Sequence, residues 1–465
     1  MIVDFVENYT FDEIAVGQTA SVTRLLTKRD IELFALLSGD LNPTHLDEGY
    51  AAERDGRRQL AAHSLWGASL ISGVLGTYLP GAGTVHRSQQ LDFLRPVRVG
   101  DTLRVTVRAL SKQPADRTVT FECVGINQNE ERVFEGTARV VAPASKVHRR
   151  RVDLPEVHFH EHGARYKNLI EMAHQYPPVR TAVVHPVDAA SLEGAISAAT
   201  AGLIEPLLVG PRAKILEAAR IAGLDPGNYP IVDAPHSHAA AARGVELVRG
   251  GEAGILMKGS LHTDELMSEV VRGATGLRTE RRVSHAFVME VPTYPKLLMI
   301  TDAAINIYPD LLSKRDIVQN AIELAQAMGV ERPKVAILSA VETVTPKLQA
   351  TMDAAALCKM ADRGQITGGL LDGPLAFDNA ISRQAARTKG IRSEVAGDAD
   401  ILLVPDLEAG NMIAKQLQYL AEAETAGLVL GARVPIVLTS RADGALARMT
   451  SCALAVLYAN RKRKP

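Results

Sequence analysis

Sulfur, aromatic rings and net charge are all scarce in this chain. Its three cysteines, Cys123, Cys358 and Cys452, are widely spaced and form no CxxC pair. That excludes a disulfide framework and a cysteine-rich zinc site, and it fits a reducing cytoplasm as the expected location. Aromatic residues make up 4% of the chain and Trp66 is its single tryptophan, which reads as a packing residue. A net charge of -1 removes the electrostatic case for nucleic-acid binding. No apolar run reaches the roughly 18 residues that span a bilayer, so no membrane partner is expected. Asp4 and Glu7 come early with no apolar stretch, so the N-terminus does not read as a signal peptide. No GxGxxG follows a predicted strand and no Walker phosphate loop occurs, so a nucleotide fingerprint is missing.

What is present is 465 residues, 46% hydrophobic and 23% charged. That is the profile of a soluble globular protein too long for one ordinary core, so at least two domains are expected. Residues 1–145 read as helix followed by antiparallel strands. Thr27-Lys28-Arg29-Asp30 has the pattern of a capping box, and Gly39 can close the helix that follows. A second helix is predicted from about His63 to Tyr78, stopping at Pro80-Gly81. It carries Gly67, Ala68, Ser69, Ser72, Gly73 and Gly76, small residues that let a helix lie very close to a sheet. Four alternating or β-branched segments follow, at 84–96, 102–110, 117–126 and 132–142. One central helix wrapped by an antiparallel sheet is the economical assembly.

Residues 146–165 read as a linker, with the basic run Lys146 to Arg151 and histidines at 158, 160 and 162. The charges here, and those of Arg461 to Lys464, read as solvated. The histidines lack cysteine or acid partners at ligand spacing, so no metal is expected. Residues 166–465 alternate short apolar strands with helices, which implies a largely parallel sheet. At this length the half is expected to split into two lobes around a cleft.

Asp40-Leu41-Asn42-Pro43-Thr44-His45 sets an acid and an imidazole five positions apart across an Asn-Pro break. Alone, either residue would read as a cap or a packed core group. Together, on a turn that proline keeps from continuing as helix, they can move a proton and handle a water. The helix beginning at His63 adds free N–H groups that suit a thioester oxygen. The stretch 10–143 resembles the MaoC-like, (R)-specific 2-enoyl-CoA hydratases of hot-dog fold. The motifs that carry this are Asp-x-Asn-Pro-x-His, Ala62-His63, Ala68 to Ser72, Leu79-Pro80-Gly81 and Gln90-x-x-Phe93-x-x-Pro96. The resemblance implies that Asp40 and His45 activate water for addition across an enoyl-CoA double bond. It leaves open which of the two protonates the α-carbon. It implies that Ser72 supports the pair, and that His63 and Ser64 mark the thioester-binding helix start. The family usually has Gly where Ser64 stands, which bears on the shape of the acyl pocket.

In the larger half, polar motifs follow apolar strands: Lys258-Gly259-Ser260, Asp302 to Asn306, Asp372 to Asp378, Pro405 to Asn411 and Ser440-Arg441. Ser284-His285 opens another. Such loops in series predict a polar cleft beyond the carboxyl ends of the strands. Residues 165–462 resemble the phosphate acetyltransferase/butyryltransferase family, with motifs that look nearer the butyryl branch. The resemblance implies that Arg441 binds phosphate, as a forked guanidinium suits an oxyanion. It implies that Ser440 contacts the thioester or tetrahedral intermediate. Lys258, Asn306 and Asn411 are candidate phosphate or CoA contacts. The acetyl branch has an Asp about two helical turns after its Ser-Arg, and Leu446-Ala447-Arg448 offers no acid there. Asp443 is either a substitute base or the cap of the following helix.

The expected fold class is therefore an α+β hot-dog domain followed by an α/β two-lobed phosphate acyltransferase domain. The expected protein is a bifunctional CoA-thioester enzyme. It hydrates 2-enoyl-CoA and transfers acyl groups between CoA and phosphate, with no cofactor. Its partners are enoyl-CoA, acyl-CoA, CoA and phosphate, and a homo-oligomer (dimer or higher) is expected by analogy. The alternative is a hydratase controlled by a non-catalytic, acyl-CoA-sensing C-terminal module.

Overall fold

The computed structural model describes residues 5–55, 59–150, 152, 163–439 and 443–461. The chain divides into two compact units, Met1–Phe159 and His160–Pro465. Among the described residues no helix is long and apolar enough to cross a membrane.

The first unit contains β1 (Phe5–Glu7), β2 (Thr19–Leu25), α1 (Lys28–Ser38), α2 (Pro43–Leu46), α3 (Glu48–Asp55), α4 (Ser64–Thr77), β3 (Val85–Phe93), β4 (Thr102–Gln113), β5 (Thr118–Ile126), β6 (Arg132–Val141) and β7 (His148–Arg150). The capping box forms as read. Thr27 accepts from the Asp30 amide and Asp30 accepts from the Thr27 amide, while Gly39 ends α1 at a φ of 73°. Five strands in the order β2-β4-β5-β6-β3 make an antiparallel sheet. Along β4 buried and exposed residues alternate, so one face covers the core. Trp66, Ile71, Val74 and Leu75 of α4 fill that core with Leu103, Val105, Phe121 and Phe134. This is the hot-dog arrangement.

Only part of the small-residue content of α4 serves close packing. A Cβ on Gly67 would stand 3.1 Å from Leu103 and 3.3 Å from the Phe134 ring, whereas Gly73 and Gly76 face open space. Residues 148–150, expected in the linker, instead pair antiparallel with β1. The basic run finds acidic partners there: Glu7 meets His148 at 2.9 Å and Glu13 meets Lys146 at 2.9 Å, and the Phe5 and His148 rings stack. The histidines at 158, 160 and 162 lie outside the described residues.

The second unit is built on one eleven-stranded sheet. Its strands are β8 (Val179–Val184), β9 (Ile204–Gly210), β10 (Ile231–Asp233), β11 (Ile255–Lys258), β12 (Ser284–Glu290), β13 (Leu298–Thr301), β14 (Lys334–Leu338), β15 (Leu370–Leu375), β16 (Ile401–Leu403), β17 (Glu424–Leu430) and β18 (Ile436–Val437). The order is β10-β9-β8-β11-β18-β17-β12-β13-β16-β14-β15. The first five run parallel, as do the last four. Between these blocks β17 is antiparallel to β18 and β12, and β12 is antiparallel to β13. The two expected lobes are thus two parallel blocks of one sheet that run in opposite directions. Asp372-Gly373-Pro374, expected just past a strand, lies inside β15.

Helices flank the sheet, and Ala445–Arg461 is the most deeply set, with Cys452 to Tyr458 all buried. Burial pushes the thiols of Cys123, Cys358 and Cys452 up to about 12, so none is a ready nucleophile.

The contrast along α4 yields a test. Gly67→Val should lower the urea-unfolding free energy of the N-terminal unit by about 1–3 kcal/mol through overpacking. An unchanged transition would contradict this packing.

Candidate active sites

The Asn-Pro break does local work first. Asn42 accepts from the Thr44 amide at 3.1 Å and caps the short α2, with Pro43 in its first position. Asp40 accepts from the Asn42 amide at 3.1 Å, which holds its carboxylate on the turn. Asp47, the other nearby acid, accepts from the amides of Gly49 and Tyr50 at the start of α3. Ligand atoms of Asp40, His45 and His63 all lie within 4.8 Å of one another. Asp40 is half exposed on its side chain and His63 is buried.

Carbonyl contacts settle both imidazole tautomers. His45 Nδ1 lies 2.8 Å from the Ala61 carbonyl oxygen, and His63 Nε2 lies 3.0 Å from that of Asp40. A carbonyl oxygen only accepts, so each of these nitrogens carries a proton. In its neutral form His45 then carries its lone pair on Nε2. His63 acts as a brace: its ring packs 4.0 Å from that of His45 and 5.1 Å from that of Phe34, and its Nε2–H holds the Asp40 backbone. His63 also sits in the N-cap position of α4 without a side-chain cap bond. The first amides of that helix, Ser64's among them, have no intrahelical acceptor. The exposed Ser64 adds a hydroxyl there. Ser72 is not brought to the pair: it is exposed, roughly 13 Å along α4 from His63 by helical rise. The nearer Ser69 spends its hydroxyl on the Trp66 carbonyl at 2.6 Å.

In the second unit, polar groups gather where the sheet reverses. A cavity of about 370 Å³ is walled by Lys258 at the end of β11 and Leu261 after it, Leu438 and Thr439 after β18, His285 and Phe287 on β12, and Ala304 after β13. The loop after β11 is drawn in tightly. Gly259 donates to the Val184 carbonyl at 2.8 Å, and a Cβ at Gly259 would stand 2.5 Å from that oxygen. Lys258 is buried at the cavity wall. His285 is 1% exposed and its Nδ1 is buried with no hydrogen-bond partner. Burial holds its pKa down to about 3, so the ring is neutral at physiological pH.

A second cavity of about 740 Å³ shares Thr263 and Ala304 with the first and carries Arg278, Arg281 and Arg282. Asn306 on its wall is buried and fully engaged. It accepts from Arg282 Nε at 2.7 Å and donates to Asp302 at 2.6 Å and to the Val283 carbonyl at 2.9 Å. It therefore positions Arg282. Burial pushes the Asp302 carboxyl up, while the amides of Ala304 and Ile305 and the Asn306 side chain pull the other way. Asn411, half-buried, reaches the Ala303 carbonyl at 3.3 Å. Ser440 and Arg441 lie outside the described residues. Asp443 is half-buried, and its carbonyl accepts from Arg448 Nε at 3.1 Å.

The expected single rim of loops does not form, because the two blocks send their carboxyl ends in opposite directions. Lys258 and Thr439 end strands of one block, and Ala304 follows a strand of the other. Sequence reasoning noted His285 only as part of a motif opening a strand, assigned it no role, and passed over the three arginines. A histidine inside a seven-residue strand that is otherwise buried, and three arginines within five positions, were the available signals.

Comparisons with known proteins agree with this division. The family model for phosphate acetyl/butaryl transferase matches residues 236–456, and that for the MaoC like domain matches residues 12–129. A phosphate acetyltransferase of Rhizobium meliloti is 64% identical over 300 residues, covering 64% of this chain and 95% of that protein. A phosphate butyryltransferase of Clostridium acetobutylicum is 44% identical over 283 residues, covering 61% and 94%. The crystal structure of a branched-chain phosphotransacylase from Enterococcus faecalis V583 aligns with a TM-score of 0.53 at 29% identity, over 60% of this chain and 99% of that one. The chain therefore belongs to the phosphate acetyl/butyryl transferase family and carries a MaoC-like hot-dog domain ahead of it.

Proposed function

We propose that the chain is a two-site CoA-thioester enzyme, with acyl transfer to phosphate in the C-terminal unit and enoyl-CoA hydration in the N-terminal unit. The observation that supports the first activity best is 64% identity across nearly the whole of a phosphate acetyltransferase. The cavity at the sheet reversal suits it chemically. Leu261, Phe287 and Leu438 offer an apolar wall for a short acyl chain, and Lys258 offers a cation. The neighbouring arginines suit the phosphates of CoA. Arg441 is assigned the attacking phosphate and Ser440 the thioester, both by family resemblance. Asn411 serves through the Ala303 turn that it touches. Asp443, two positions after Arg441 in the sequence, is a candidate base.

For the hydratase, support comes from Asp40, His45 and His63 within 4.8 Å at the start of α4. His45 Nε2, left as a lone pair by its tautomer, takes a proton from water as oxygen bonds to the β-carbon. Electron density moves toward the thioester oxygen, which the free amides at the helix start stabilise. The α-carbon then takes a proton back, so the pair ends each turnover as it began. The product is an (R)-3-hydroxyacyl-CoA by family resemblance. No step calls for a metal or organic cofactor.

A homo-oligomer is part of the same proposal. β3 is an exposed edge strand, and Leu65 on the outer face of α4 is 62% exposed. Such an edge is normally covered. Light scattering should give a mass of at least twice 50.0 kDa, and a monomer at micromolar concentration would contradict it.

Two assays test the activities. CoA release from acetyl-CoA and butyryl-CoA should require phosphate. Tight acyl-CoA binding without phosphate-dependent release would overturn the transferase reading. Asp40→Asn and His45→Ala should each slow crotonyl-CoA hydration by about 10²-fold or more. Wild-type rates in either variant would sink the hydratase.

A further inference from the structure

A buried polar group without a partner is costly, on the order of 1–3 kcal/mol, and such groups in folded proteins call for an explanation. His285 is such a group. Its Nδ1 is buried and unpartnered, and no hydrogen bond to either ring nitrogen occurs among the described residues. The backbone around it is fully organised. β12 is paired on both sides, to β17 and β13, and the Phe287 ring meets the imidazole edge-on at 4.4 Å between centroids. The residue lines a cavity shared with Lys258 and with Thr439, the residue before Ser440-Arg441.

We propose that His285 is a catalytic residue of the acyl-transfer site, donating a hydrogen bond from its imidazole to the thioester carbonyl oxygen. This inference rests on the acyl-transfer reading of the C-terminal unit. A phosphate oxygen bonds to the thioester carbon and the carbonyl π electrons move onto oxygen. That oxyanion collapses, the C–S bond breaks, and the proton of hydrogen phosphate ends on the CoA sulfur. The products are acyl phosphate and free thiol. The charge that develops in between sits on the carbonyl oxygen, where a fixed donor is most effective. An uncharged imidazole suits this role because it donates without having to be desolvated as a cation, and the dry wall around His285 keeps it uncharged. Nδ1 is closed off from the cavity, so the donor on this account is Nε2–H.

The test is phosphate-dependent CoA release by the full chain carrying His285→Phe or His285→Gln. His285→Phe keeps a planar ring and removes the donor. It should lower kcat by about 10²-fold while the KM for phosphate stays near wild type. His285→Gln keeps an N–H and should recover part of the loss. A His285→Phe enzyme within threefold of wild-type kcat would overturn the inference and leave the transferase reading standing. A wild-type chain with no phosphate-dependent release would overturn both. A measurement on the wild-type protein guards against a variant that fails to fold. Isotope-edited infrared spectra of bound carbonyl-labelled butyryl-CoA should show the carbonyl band at lower wavenumber than in free solution. A band at the free-solution position would overturn the assignment.

Discussion

The reversal of strand direction at β17 and β12 is the constraint on which the larger unit depends. In a wholly parallel sheet the loops after the strands would share one rim. Here two parallel blocks point opposite ways, and only the middle of the sheet can gather residues from both. β18 is two residues long and β17 carries Gly427 at its centre. Lys258, Thr439, Ala304 and His285 reach one cavity there. The core is arranged to suit, with Ala445–Arg461 packed beneath the reversal and Ser451 on that helix accepting from the Gly427 amide at 3.1 Å.

In the smaller unit the equivalent constraint is a pair of carbonyl acceptors. The Ala61 and Asp40 carbonyls each fix one imidazole. That divides labour between two histidines: neutral His45 carries its lone pair on Nε2, and His63 braces the turn. The half-exposed Asp40 carboxylate remains open to a ligand. On the proposed reading, one unit polarises a thioester through the start of a helix and the other through a buried strand.

Local features were legible from the residues alone. The capping box at Thr27 and Asp30, the four strands from β3 to β6 and the central α4 all rest on short-range patterns. β2 escaped notice because only Ala20 and Val22 turn toward the core, an alternation of two small apolar residues in an otherwise exposed strand. β17 escaped because its identity as a strand comes from pairing with Ser284–Glu290, far away in sequence. Strand direction has no signature in periodicity, so the reversal was invisible. The Asp40–His45 pair was visible because it is local, whereas the engagement of Asn306 with Arg282 and Asp302 needed the fold. Ser72 was chosen by motif spacing, and helical geometry carries it away from the pair.

The central claim is that one chain holds two independent CoA-thioester sites. Its most direct test assays one preparation of the full chain for both reactions, as wild type and as Asp40→Asn. The account predicts that the variant loses crotonyl-CoA hydration and keeps phosphate-dependent CoA release from acetyl-CoA at the wild-type rate. Loss of both activities together, or of neither, in a variant that remains folded would contradict it.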